Sequence, residues 1–358
     1  MSSMAHRAKY SLVIILITML LSPHILAKEK ILVIHSWHDI LWDRLWEKGL
    51  NDKLKENYDL VRFDLDALRQ TKTQLQKTVK HALSTYRSLH PKLVILGDDI
   101  ALKELGTKLE AENASVIYLG INHNPRKYLD KTHGKNFTGV IERPLYERSI
   151  RQIMRLFPAE TLKVLLLNDS GPDEENVTDL LRIFGTKSSI KVQGVTIDLK
   201  ITHSWEQWQQ EVLSSEKNGY SAILFDSRYQ LRDVTGQYVE PEIGVVRWMS
   251  SNSPLPIFSF YEDSIGPGLG IGGWVISGYE IGTAAGELAL DLLDKEDSDE
   301  NTFPVFYDKA KYIFSRTELN RWQIDLPIDI RTKAIFVEDL HTLWIFDCAK
   351  YDNSLCYQ

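Results

Sequence analysis

A scattered set of polar and aromatic side chains carries this chain's capacity for recognition chemistry: Ser36, Trp37, His38, Asp98, Asp99, Asn122, Asn168, Asp226, Arg228, Tyr261 and Glu262. Each follows a short apolar run. Trp37 offers a flat face on which a sugar, an aromatic ring or an aliphatic group can stack. Ser36, Asn122 and Asn168 supply hydrogen-bonding groups, and His38 can donate to a carboxylate or hydroxyl. Asp98 and Asp99 can accept from an ammonium or hydroxyl group, although carboxylates that open a helix also serve as its cap. Arg228 can grip a carboxylate through two parallel N–H bonds, or spend itself on a surface ion pair. Tyr261 and Glu262, with Asp263 behind them, end another apolar run. Such groups hold and orient a polar molecule. Groups that would attack one are not evident: there is no G-x-S-x-G elbow and no H-E-x-x-H helix. Carboxylates are numerous enough for a glycosidase-type pair, but nothing singles one out. The chain therefore reads as a binder and not as an enzyme, and no cofactor or metal is expected.

The elements that must position these residues alternate. Strands are predicted at 31–35, 60–64, 93–97, 115–121 and 137–141, and a second series at 163–168, 191–197, 221–226 and 255–260. Between them lie stripes at helical spacing, among them Leu75, Val79, Ala82, Leu83 and Tyr86, and later Trp205, Trp208 and Val212. Such stripes read as core packing. Strand–helix alternation predicts parallel sheets covered on both faces, and ligands of open α/β folds sit at the carboxyl ends of the strands. Two series predict two similar lobes, with the break near Glu142-Arg143. The helix predicted at 278–294 carries Gly282, Ala285 and Gly286, which keep it slim for packing on a sheet. The glycine run from Gly266 to Gly273 lacks the ending of a phosphate-binding loop and reads as hinge and turn material.

His6, Arg7 and Lys9 precede an apolar stretch from Leu12 to Leu21, and Ala27 ends a usable cleavage site: residues 1–27 read as a Sec-type signal peptide. The apolar stretch falls short of the roughly 20 residues of a membrane span. Removing residues 1–27 takes away Arg7 and Lys9 and moves the formal charge from −7 to −9. That excess of acid argues against nucleic acid as a partner. Cys348 and Cys356 lie together in the tail, where an oxidising compartment would let them pair, far from the candidate site.

Five marks in order carry a family resemblance. They are Ser36-Trp37-His38 with Trp42 and Gly49; Leu96-Gly97-Asp98-Asp99-Ile100-Ala101-Leu102; Tyr118-Leu119-Gly120-Ile121-Asn122 followed by Thr138-Gly139-Val140-Ile141-Glu142; Gly272-Gly273-Trp274 running to Gly282; and Tyr312 to Trp322 with Leu326-Pro327. Together they resemble the ABC-type substrate-binding proteins of the type I periplasmic binding fold, in the variant also found as the sensor domain of some histidine kinases. Trp37 stands where that variant has Tyr.

The resemblance implies an α/β fold of two Rossmann-like lobes joined by three crossings. Residues 28–143 plus 278–296 would form the N-terminal lobe, 144–262 plus 303–330 the C-terminal lobe, and 331–358 a tail. It further implies a monomeric periplasmic protein that closes on a small polar ligand, of amino-acid or sugar class, and serves an ABC permease. The alternatives are a ligand-binding subunit of a separate membrane sensor, a histidine kinase or cyclase, and an exported enzyme on the same fold.

Overall fold

The computed structural model describes residues 28–38, 40–129, 136–143, 145–157, 162–169, 178–192, 194–239, 244–294 and 303–339. The signal-peptide reading of 1–27 and the tail cysteines lie outside them.

The first series runs β1 (Glu29–His35), α1 (Leu41–Leu54), β2 (Tyr58–Asp64), α2 (Lys72–Leu89), β3 (Leu93–Gly97), α3 (Asp98–Glu110), β4 (Val116–Ile121) and β5 (Phe137–Glu142). Its strands are parallel because each return is made by a helix or a crossover. β1 explains the apolar run at the sequence level. Ile31 and Val33 face one core, with Trp42, Trp46 and Leu50 of α1; Leu32 and Ile34 face the other, with Val79 of α2 and Leu102 of α3. A strand buried on both faces has no polar side to show, so its sequence is a continuous hydrophobic run. Full burial of each such side chain contributes about 1.5–3 kcal/mol.

The second series runs α4 (Tyr146–Met154), β6 (Lys163–Asn168), α5 (Thr178–Phe184), β7 (Ser189–Val192), β8 (Val195–Ile201), α6 (Trp205–Ser214), β9 (Ala222–Phe225), α7 (Val246–Asn252) and β10 (Ile257–Ser259). Its sheet order is β10-β9-β6-β8-β7. The single strand expected at 191–197 is instead a hairpin. β7 and β8 pair antiparallel across Gly194, whose φ of 91° suits the turn. The apolar alternation changes phase there, from Ile190 and Val192 to Val195, Ile197 and Leu199, and that slip at Gly194 is the mark of the reversal.

After β10 come β11 (Gly272–Val275), α8 (Gly278–Asp294), β12 (Val305–Tyr307), β13 (Lys311–Phe314), α9 (Arg316–Arg321), α10 (Ile328–Arg331) and β14 (Ile335–Phe336). The glycine run read as hinge material thus includes a strand, β11, which pairs antiparallel with β13, and β13 pairs in parallel with β14. β12 completes the first sheet, in the order β12-β5-β4-β3-β1-β2. Its residues were expected in the second lobe; their backbone bonds go to β5 of the first. β11, β13 and β14 form a third small sheet, and the chain passes between the first sheet and the rest of the molecule three times: after β5, between β11 and α8, and between β12 and β13.

α8 also differs from expectation in what it packs against. Its small residues meet a helix, α1, more than a sheet. A Cβ on Gly282 would lie 1.8 Å from the Trp46 carbonyl oxygen, and one on Gly49 would lie 2.1 Å from that of Tyr279. The two backbones touch, and only glycine permits the approach.

Candidate functional site

In the first sheet the strand order reverses between β1 and β3, and in the second between β6 and β9. At such a switch point the loops diverge and leave a crevice at the carboxyl ends of the strands. The two crevices face one cleft, with about 770 Å³ of empty space including its open mouth.

The loop after β1 delivers Trp37 to the cleft and turns Ser36 away from it. Ser36 Oγ donates to the Gly97 carbonyl at 2.7 Å and accepts from the Ala101 amide at 2.8 Å. It therefore caps α3 from a neighbouring strand end, the task the sequence offered to Asp98 or Asp99. His38 is exposed and sits 2.6 Å from Asp64, outside the cleft. Asp98 lines the cleft. Its Oδ2 accepts from Trp37 Nε1 at 3.0 Å, which fixes the indole plane. Its backbone has φ of 72°, a conformation Asp tolerates better than most residues. Asp99 is turned the other way: it accepts from the Asn122 amide at 3.0 Å and lies 2.8 Å from His123 Nδ1 without hydrogen-bond alignment. Asn122 itself lines the cleft.

From the second lobe come Asp226, Arg228 and Tyr261. Asp226 Oδ2 accepts from Tyr146 Oη at 2.9 Å and from Asn168 Nδ2 at 2.8 Å. Asn168 thus supports the wall from behind. Arg228 is fully buried and donates to Asp263 at 2.8 Å, and the same oxygen accepts from Tyr229 Oη at 2.7 Å. Glu262 is buried away from the cleft at the second crossing, with Ser277 as hydrogen-bond partner. Tyr261 meets Trp42 edge to face, ring centres 5.6 Å apart, so the two lobes touch through aromatic rings at the cleft.

Of the eleven residues singled out from sequence, six line the cleft and five stand behind or outside it. Reasoning from sequence missed Glu142 and Tyr146. Glu142 ends β5, a strand otherwise without charge, and a lone carboxylate closing a buried run is a usable signal. Tyr146 carried no such mark.

The carboxyls of this cleft are hard to ionise. Burial pushes Asp226 up to about 7, with Asp169 nearby opposing ionisation and the bonds from Tyr146 and Asn168 favouring it. Burial, then the neighbouring Asp99, pushes Asp98 up to about 7. Burial raises Glu142 well above the ordinary carboxylate range; Asp98, Asp99 and Asp226 add to it, against a hydrogen bond from Tyr261. Among the described residues no grouping of His, Cys, Asp and Glu is suited to a metal ion.

No family model and no curated protein matches the chain. Solved structures do. An ABC domain from Streptococcus pneumonia, solved with L-Trp, is 18% identical with a TM-score of 0.60; the match covers 86% of this chain and 99% of that one. A ligand-free, open substrate-binding protein with adhesive properties from Clostridium difficile is 13% identical with a TM-score of 0.61, over 86% and 99%. A LacI-family repressor from Corynebacterium glutamicum matches more loosely, at 14% identity and a TM-score of 0.50 over 79% and 96%. Two sheets built mainly of parallel strands, three crossings and these neighbours give one conclusion: the chain has the type I periplasmic binding fold.

Proposed function

We propose that this protein is an extracytoplasmic solute-binding protein that captures a small polar ligand between its lobes and presents the closed form to an ABC importer. The observation that carries the reading is the cleft itself. Trp37, Asp98 and Glu142 reach it from one sheet, Tyr146, Asp226 and Arg228 from the other, so one ligand can touch both lobes. A ligand can shift an open–closed equilibrium only by its differential affinity for the two states, and contacts from both walls supply that difference. The substrate-binding neighbours support the reading, one of them solved with a small amino acid ligand and another open and empty. Polar groups in the cleft are fixed by one another, as in a preformed binding site. We assign the lobes as 28–143 with 278–307, and 145–275 with 311–336.

Thermal unfolding of the purified protein against amino acids, amines, sugars, nucleosides and peptides tests the proposal. A ligand that binds only the folded state raises the melting temperature. A shift confined to one chemical class is the expected result; no shift with any class, with no small molecule retained in native mass spectrometry, would overturn it.

A further inference from the structure

We infer that the cleft is built for an organic cation: a protonated amine without a carboxylate, held between acids of both lobes and flanked by aromatic rings. The inference rests on the solute-capture reading and names the class of solute.

Asp98, Glu142, Asp226 and Asp263 all line the cavity, and among the described residues Arg228 is the one basic side chain that does so. Arg228 and Asp263 are joined at 2.8 Å and offset each other. Asp98, Glu142 and Asp226 remain, and the Arg228 that already serves Asp263 is the one positive side chain in the lining near them. Glu142 is only 1% exposed, and its Oε2 has no hydrogen-bond partner. A buried carboxylate oxygen without a donor is costly, and an ammonium N–H from a ligand removes the cost.

Other ligand classes fit less well. An anion finds in the lining only a guanidinium already engaged by Asp263. A zwitterionic amino acid needs a group to hold its carboxylate, and the guanidinium that would do so already faces Asp263. A neutral sugar can satisfy hydrogen bonds but leaves the acids uncompensated. A bare divalent cation takes an all-oxygen shell and makes no use of Trp37, Trp42, Tyr229 and Tyr261. Aromatic faces do attract an organic cation. The placement of the acids adds a function. Asp98 and Glu142 belong to one lobe and Asp226 to the other, so a cation that drives off their protons as it binds is attracted from both sides and draws the lobes together.

The test compares matched pairs by calorimetry and thermal shift: tyramine against L-tyrosine, cadaverine against L-lysine, with glucose as the neutral member. The amine of a pair is expected to bind at least tenfold tighter than its amino acid. Glu142→Gln is expected to weaken amine binding at least tenfold while the empty variant melts no lower than the parent. Asp226→Asn supplies the same readout should E142Q fold poorly. Tighter binding of the amino acid or the sugar, or amine affinity unchanged in both variants, would overturn the cation assignment and leave solute capture standing. No binding by any member would overturn the cation assignment; silence across the wider panel above would remove solute capture as well.

Discussion

Asp226 accepts two hydrogen bonds and still titrates near neutrality, because burial outweighs its donors. Asp98 behaves alike, its indole partner outweighed by burial and by Asp99. In the unfolded chain such carboxyls titrate near 3.9. Between those values the folded protein holds protons that the unfolded chain has released, so this part of its stability is complete below about pH 4 and is lost as pH rises through about 7. The groups facing Asp226 are Asp169, Arg228, Tyr146 and Asn168; those facing Asp98 are Asp99, Asp43 and Trp37. The empty protein should therefore melt lower at about pH 8 than at about pH 5, with a shallower slope in Asp226→Asn; a flat profile in the parent would contradict the burial argument. Trp37→Ala removes both a stacking face and the donor to Asp98. It should weaken ligand binding tenfold or more, about 1.4 kcal/mol, in a titration calorimeter. At this scale the sequence exposed which loops matter but not which way each side chain turns. Neighbours such as Ser36 and Trp37, or Asp98 and Asp99, leave the backbone in opposite directions, and one of each pair ends up as support. The direction is set by the φ of Asp98 and by bonds across sixty residues, neither of which leaves a local trace.

The contact between α1 and α8 is the tightest test of how elements are fitted. Adding a methyl group at Gly282 places it against the Trp46 backbone, where no side chain can swing aside. Overpacking of this kind costs about 1–3 kcal/mol, and Gly282→Ala should lose at least that in urea denaturation, whereas an exposed glycine turn such as Gly236 has open space around it. Elements buried on two faces were the legible ones: β1, β3, β4 and β6 read as apolar runs at nearly their true bounds. Short elements without an apolar run were not. β12 has three residues, with Val305 and Phe306 exposed, so nothing local tells which sheet will accept it. β11 is hidden among glycines because its φ of 127° at Gly272 and the close approach of Ile313 require them. The β7–β8 reversal shows in the sequence only as a phase slip in the alternation between Val192 and Val195, beside one glycine.

On the scale of the whole molecule, three crossings connect two rigid halves, and the cleft lies between them. Binding should reduce the radius of gyration measured by small-angle X-ray scattering, since closure brings the lobes together; an unchanged profile at saturating ligand would mean that capture needs no hinge motion. The overall plan of two lobes was legible from the two series of strands. The sharing of elements between them came only with the resemblance, which gave the helix at 278–296 to the first lobe but misplaced β12, since it depends on pairings separated by more than a hundred and fifty residues. β12 against β5 and α8 against α1 are such pairings. They carry a consequence for biogenesis. A chain that has reached residue 260 holds five strands of the first sheet but neither its sixth nor the helix that covers Trp42, Trp46 and Leu50. The half made first is thus among the last to be finished, and its contact order is high, which slows folding. Throughout most of synthesis the nascent protein keeps an uncovered tryptophan-rich surface, open to chaperones and to aggregation until α8 is made.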